Sequence, residues 1–185
     1  SSSVLENLLS KDDNVLGNWI QDGNASRLAD ISVSSNLIAL IRKDGRVMSA
    51  GRNTFGSCGV GLPSAITKFT DVIGFSEGVR HDSSVSLRLT LTIKQQRIKQ
   101  QVHDAVHVCA GVNTMAVMTK QGEVLTAGCN TEGQLGQGSR ERETSIPELV
   151  NFRTRVHVVT IACGSEHMVC LTAKDEVYAF GQNKH

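Results

Sequence analysis

The sequence predicts an all-β fold: an incomplete β-propeller of about three to four four-stranded antiparallel blades, preceded by a short helical segment. Three observations predict it. One stretch of chain recurs three times without a gap. Each copy reads as two short apolar runs joined by a polar, Gly-containing turn. The 17 glycines against 2 prolines in 185 residues supply tight turns between strands rather than stiff linkers.

In chain order, residues 1–28 differ from the rest. Val4, Leu5, Leu8 and Leu9 share one helical face, and Val15, Leu16, Trp19 and Ile20 share another. Asp12-Asp13-Asn14 breaks the two and offers an N-cap, while Gly17 weakens the second helix. Such a segment packs on the propeller rim or docks on another protein. Residues 29–185 carry the partial propeller.

The first copy starts at Ile31, the second at Val108 and the third at Ile161, so the intervals are 108 − 31 = 77 and 161 − 108 = 53. Between the first two, Asn36, Ala39, Lys43, Gly45, Val47, Ala50, Gly51, Asn53, Thr54, Gly56, Gly59 and Gly61 meet identical residues. Against the second copy, Gly164, Met168, Thr172, Glu176, Val177, Gly181 and Asn183 of the third match. In the second copy Ala116–Thr119 and Val124–Gly128 are the paired strands, joined at Lys120–Glu123. The run CNTEGQLGQG then places Gly133, Gly136 and Gly138 in a loop that needs positive φ. Pro147–Val150 opens the next extended piece and Val156–Ile161 another. Four strands repeating near 50 residues is the pattern of a propeller blade.

These motifs resemble the regulator of chromosome condensation repeat, a small-residue GxxH stretch, a strand, a turn, a strand ending in G-x-N, and then GQLG-x-G. The second copy carries GQLGQG in full, with Gly128 and Asn130 before it, and the third carries Gly164…His167, Gly181 and Asn183. The first is degenerate: GSCGVG replaces the glutamine-leucine loop after Gly51 and Asn53, and Asn36-Leu37 stands at the histidine position. The resemblance covers residues 29–61 and 102–185 and implies a seven-bladed propeller in which His167 bonds within its blade. Seven blades at the 53-residue interval need 7 × 53 = 371 residues, so the 185 here read as part of a larger propeller. The remaining blades come from the same chain or another one. Met115, Val117, Val169 and Leu171 are the apolar residues expected to need that cover.

Within residues 62–107 the chain holds 77 − 53 = 24 residues beyond the normal spacing. Val85–Lys94 alternates strictly and reads as one half-buried strand, with Phe69–Phe75 as a hairpin partner. Residues 80–101 hold five Lys/Arg against one Asp. Either these charges guard a blade edge, or the insertion projects from the rim and takes an acidic partner through Arg88, Lys94, Arg97 and Lys99.

Composition narrows the function. With 19 basic and 18 acidic residues, the chain lacks the global charge of a chromatin or nucleic-acid binder. No apolar run approaches a membrane span, and the N-terminus does not read as a signal peptide. The five cysteines contain no CxxC pair and read as reduced thiols of an intracellular protein, cytoplasmic or nuclear. The six histidines form no metal-ligand spacing, no nucleophile elbow occurs, and the closely spaced glycines repeat with the blade rather than cradling a phosphate. No catalytic residue, metal or cofactor is therefore assigned. The resemblance implies a noncatalytic protein-interaction module of a larger regulatory protein. Its alternatives are a guanine-nucleotide exchange factor for a Ran-like small GTPase and a partner-recruiting propeller of a ubiquitin ligase.

Overall fold

A computed structural model describes residues 15–62, 64–75, 105–139 and 141–183. The chain enters through helix α1 (Val15–Trp19), a π-helical turn (Ile20–Asn24) and a 3-10 turn (Ala25–Arg27). Gly23, at φ 79°, bends this lead-in and breaks the helical period. Ile20 is therefore 42% exposed instead of sharing a buried face with Trp19. The Trp19 ring tilts against Phe69, with centroids 5.9 Å apart, so the lead-in packs on the outer strand of the first blade. The first expected helix, with Val4, Leu5, Leu8 and Leu9, lies outside the described residues.

Three antiparallel sheets follow. The first contains β1 (Leu28–Val33), β2 (Leu37–Arg42), β3 (Val47–Gly51) and β4 (Ile66–Asp71). The second contains β5 (Ala105–Ala110), β6 (Thr114–Thr119), β7 (Val124–Cys129) and β8 (Glu143–Leu149). The third contains β9 (Val158–Cys163), β10 (His167–Thr172) and β11 (Val177–Gly181). Within each sheet the strands are hydrogen-bonded in sequence order. This is the all-β, partial-propeller architecture that the repeats predict. Equivalent strands start at 28, 105 and 158, reproducing the intervals 77 and 53.

Two boundaries differ from the sequence reading. The extended piece read from Pro147 is β8, the outermost strand of the second blade, and it begins four residues earlier, at Glu143. A proline is accommodated there because an edge strand leaves half of its N–H groups unpaired in the sheet. Phe69 likewise belongs to β4, which pairs with β3, and Phe75 turns into the core. The 24 extra residues fall between β4 and β5: the strand starts are 105 − 66 = 39 apart, against 158 − 143 = 15 between β8 and β9. The strand expected at residues 85–94 lies outside the described residues.

The core is layered between blades. One layer joins Leu37, Ile41 and Val47 of the first blade to Val108, Val117 and Leu125 of the second. The other joins Ala116, Met118 and Val124 of the second blade to Ile161, Met168 and Cys170 of the third. β6 sits in the middle blade, so both its faces are covered and all six of its residues are buried. Met115 and Val117 were expected to need cover from missing blades; they are 1% and 0% exposed, packed within this chain. Val169 and Leu171 are only half-buried, and Val177 beside them is 66% exposed.

Candidate interaction faces and blade joints

Each blade has two ends. At one end the first-to-second-strand turns meet the long loops after the third strand. At the other, the hairpin turns between the second and third strands meet the connections between blades.

The glycine-loop end is built by the repeat itself. Gly51, Gly128 and Gly181 occupy one position at φ 152°, 115° and 110°. A Cβ there would lie 2.2–2.3 Å from the carbonyl oxygens of Asn36, Asn113 and Glu166 respectively. The same carbonyls accept the N–H of Arg52, Cys129 and Gln182 at 2.8–2.9 Å. Only glycine permits that approach. Beyond it, Asn130 Nδ2 donates to Glu141 O at 2.8 Å, while Asn130 Oδ1 accepts the Leu135 N–H at 3.2 Å. Asn53 repeats this, donating to Leu62 O and to Ser64 O (2.9 Å) and accepting the Cys58 N–H at 3.0 Å. Buried Thr126 and Ser49 hydroxyls donate to Leu135 O (2.8 Å) and Cys58 O (2.6 Å). The degenerate loop of the first copy thus keeps the asparagine and hydroxyl bonds of the second. It does not keep the Gln137 Nε2 bond to the Thr126 carbonyl (2.9 Å) or the Glu132 N–H bond to Gln134 Oε1 (2.9 Å), because Val60 and Ser57 replace the two glutamines.

The hairpin-turn end has less internal bonding and more exposed charge. The turn after β6, the connection into β9 and the turn after β10 enclose a cleft of about 460 Å³. Gln121, Arg155, His157, Lys174, Glu176 and Tyr178 are among the residues that line it. His157 Nδ1 bonds Gln121 O at 2.8 Å, and the His157 carbonyl accepts the Ala173 N–H at 2.8 Å, so one residue ties both turns. Tyr178, one of the lining residues, stands edge-on to Phe152 with ring centroids 5.2 Å apart. Two cations face one carboxylate there. Asp71 pairs with Met48 and Ala105 with Thr119, near the turns of their hairpins. The insertion between β4 and β5 therefore leaves and re-enters at this same end.

Along the inner strands the blades are joined by side chains that accept N–H groups from the next blade. Asp30 Oδ2 accepts from Val108 N–H at 2.9 Å, and Ser32 Oγ from Ala110 N–H at 3.0 Å. Asp30 Oδ2 also lies 2.6 Å from His107 Nδ1. One joint onward, the position of Ser32 is Cys109 and that of Ala110 is Cys163: Cys109 Sγ accepts the Cys163 N–H at 2.9 Å. The thiol beside it, Cys163, together with nearby His107, draws the Cys109 thiol down to about 7 against the cost of burial. Cys163 moves the other way, held protonated by its contact with Cys109 and by burial. Burial pushes Cys58 up to about 12 and Cys170 to about 11.

The residues assigned from sequence fall into two groups. Gly56, Gly133, Gly136 and Gly138 all take positive φ in the loops foreseen for them, and Gly136 packs flat under the Phe180 ring. His167 bonds within its blade through its backbone: its carbonyl accepts the Gly164 N–H at 2.8 Å and it pairs with Gly181 in the ladder, while its imidazole covers Gly164 at the start of β10. Asn183 is exposed just beyond β11. Arg88, Lys94, Arg97 and Lys99 lie outside the described residues. The cleft and the thiol pair were missed by sequence reading. The pair carried a signal: Cys109 and Cys163 are 54 apart, one more than the repeat interval, as the joint geometry requires.

Among the described residues no group of three or more His, Cys, Asp or Glu is placed to hold a metal ion, and no helix is long and apolar enough to cross a membrane. Models of the regulator of chromosome condensation repeat match residues 121–171, and residues 105–134 and 158–185. The Ras guanine nucleotide exchange factor C of Dictyostelium discoideum is 33% identical over 98 residues, covering 53% of this chain and 6% of that protein. The human E3 ubiquitin-protein ligase HERC2 is 32% identical over 116 residues, covering 60% of this chain and 2% of that protein. The crystal structure of Prp20p from Saccharomyces cerevisiae superposes with a TM-score of 0.60 at 18% identity, covering 84% of this chain and 33% of that one. The chain thus spans a third or less of each of these three proteins.

Proposed function

Because this chain carries regulator of chromosome condensation repeats, we propose that it serves as a noncatalytic protein-interaction module of a larger regulatory protein, working in the cytoplasm or nucleus. The cleft between the second and third blades carries the reading. It is a concavity lined in part by Arg155 and Lys174, on the end from which the basic insertion departs. Rigid blades with variable loops at one end suit recognition, because the scaffold holds the loops without their needing to order on binding. The partner is a protein with an acidic surface, engaged by the cleft together with Arg88, Lys94, Arg97 and Lys99. Reversing Arg97 and Lys99 to Glu in the full-length protein should weaken partner capture and flatten its salt dependence. Recovery of the same partners at the same salt overturns the assignment.

Similarity to a Ras guanine nucleotide exchange factor favours a second reading, exchange on a Ran-like small GTPase. Exchange needs a surface that displaces nucleotide contacts, not an acid–base pair. Release of fluorescent nucleotide from a panel of small GTPases separates it from simple docking. Similarity to a ubiquitin ligase favours a third, recruitment of ligase substrates. Ubiquitin transfer to captured partners by the full-length protein tests that.

A further inference from the structure

We propose that Cys109 and Cys163 form a hydroperoxide-responsive thiol pair, an oxidative modification site that can covalently staple the second blade to the third. The placement comes from the joint. Cys109 Sγ rests 2.9 Å from the backbone nitrogen of Cys163, and Cys163 Sγ lies 3.7 Å from the carbonyl oxygen of Cys109. Each sulfur therefore sits against the backbone of the residue whose sulfur it would join. That closeness is compatible with the Cα separation that disulfides span, roughly 4.4–6.8 Å. The two residues stand on β5 and β9, strands of different sheets, so the bond would add a covalent link to a joint held otherwise by packing, by the two thiol contacts and by the hydrogen bonds of His157 and Val158 to Gln121 and Gly122.

The two other joint positions set the comparison. Ser32 and Ala110 make the same contact with oxygen and a methyl group, and neither can be oxidised to a cross-link. At the second joint both positions are thiols, and both are partly accessible, whereas Cys58, Cys129 and Cys170 are buried. Asp30 engages His107 through Nδ1, two residues before Cys109 on the same strand. His107 and the Cys163 thiol both favour the Cys109 thiolate, while Cys163 stays protonated until needed. Reactive and resolving roles follow.

The chemistry balances with a hydroperoxide as the two-electron oxidant. Cys109 thiolate attacks the peroxide oxygen; the O–O bond breaks, and Cys109 becomes a sulfenic acid. The alkoxide or hydroxide leaves and takes a proton from solvent, the one released when the thiol ionised, to become alcohol or water. Cys163 sulfur then attacks Cys109 sulfur. The S–S bond forms, the S–O bond breaks, and hydroxide leaves with the Cys163 proton as water.

The test uses the full-length protein, reduced and then titrated with hydrogen peroxide. Remaining thiols are blocked, and the protein is digested without reductant by trypsin and a glutamate-specific protease. Cleavage after Glu166 separates Cys163 from Cys170. The expected product is a Cys109–Cys163 linked peptide, lighter by two hydrogens and restored by a dithiol. It should form at least roughly tenfold faster than Cys58 is oxidised. Cys170→Ala should keep it. Cys109→Ser and Cys163→Ala should abolish it while preserving the fold, since they restore the residue types of the first joint. Absence of the linked peptide, linkage of Cys109 to Cys170 instead, or accumulation of Cys109 sulfinic acid in the unmodified sequence would overturn the proposal.

Discussion

The two ends of the blades are made of the same repeat but held by different means. At the glycine-loop end, Gly128 and its equivalents press on a carbonyl, and Asn53 and Asn130 satisfy loop groups that would otherwise be buried unpaired. At the hairpin-turn end, short turns expose Lys120, Lys174, Asp175 and Glu176, and one histidine ties two turns. Buried polar groups without partners cost far more than exposed ones. The first end is therefore constrained by stability, and the second is left open to recognition.

Substitutions should separate the ends sharply. Gly128→Val forces a branched side chain into positive φ and against the Asn113 carbonyl. It should cost about 3 kcal/mol, read as a lowered urea midpoint of the full-length protein. Asn130→Ala strands the Leu135 N–H and the Glu141 carbonyl and should cost about 2 kcal/mol. Asn53→Ala should cost the same despite its altered loop; a clearly smaller loss would show that the first copy no longer depends on the shared scheme. Ser32→Ala removes one acceptor at the first joint, about 1 kcal/mol. Lys174→Ala, at the hairpin-turn end, should leave thermal unfolding within about 0.5 kcal/mol. A larger loss would mean that the cleft is structural.

The sequence made the first end legible and the second largely not. Gly51, Gly128 and Asn130 recur at fixed spacing because a single backbone geometry demands them, and gapless alignment exposes such demands. Strand starts kept the 77 and 53 intervals for the same reason. The cleft was hidden because Arg155, His157, Lys174 and Tyr178 come from separate loops and meet only once the blades are stacked. Coverage of Met115 and Val117 was misjudged because a linear repeat does not say which blade stands between two others. The start of β8 was placed four residues late, at Pro147, because an edge strand tolerates a residue that normally marks a break.

Engagement of partners at the hairpin-turn end, as proposed, is open to a direct test. Binding of captured partners should be measured for two doubly reversed full-length variants, Arg155→Glu with Lys174→Glu in the cleft and Arg52→Glu with Arg142→Glu at the glycine-loop end. Both change the net charge equally and leave the blade cores untouched. Binding at the hairpin-turn end predicts at least a roughly tenfold weaker affinity for the cleft variant and near-native affinity for the other. Equal weakening of both, or loss confined to the glycine-loop variant, would contradict it.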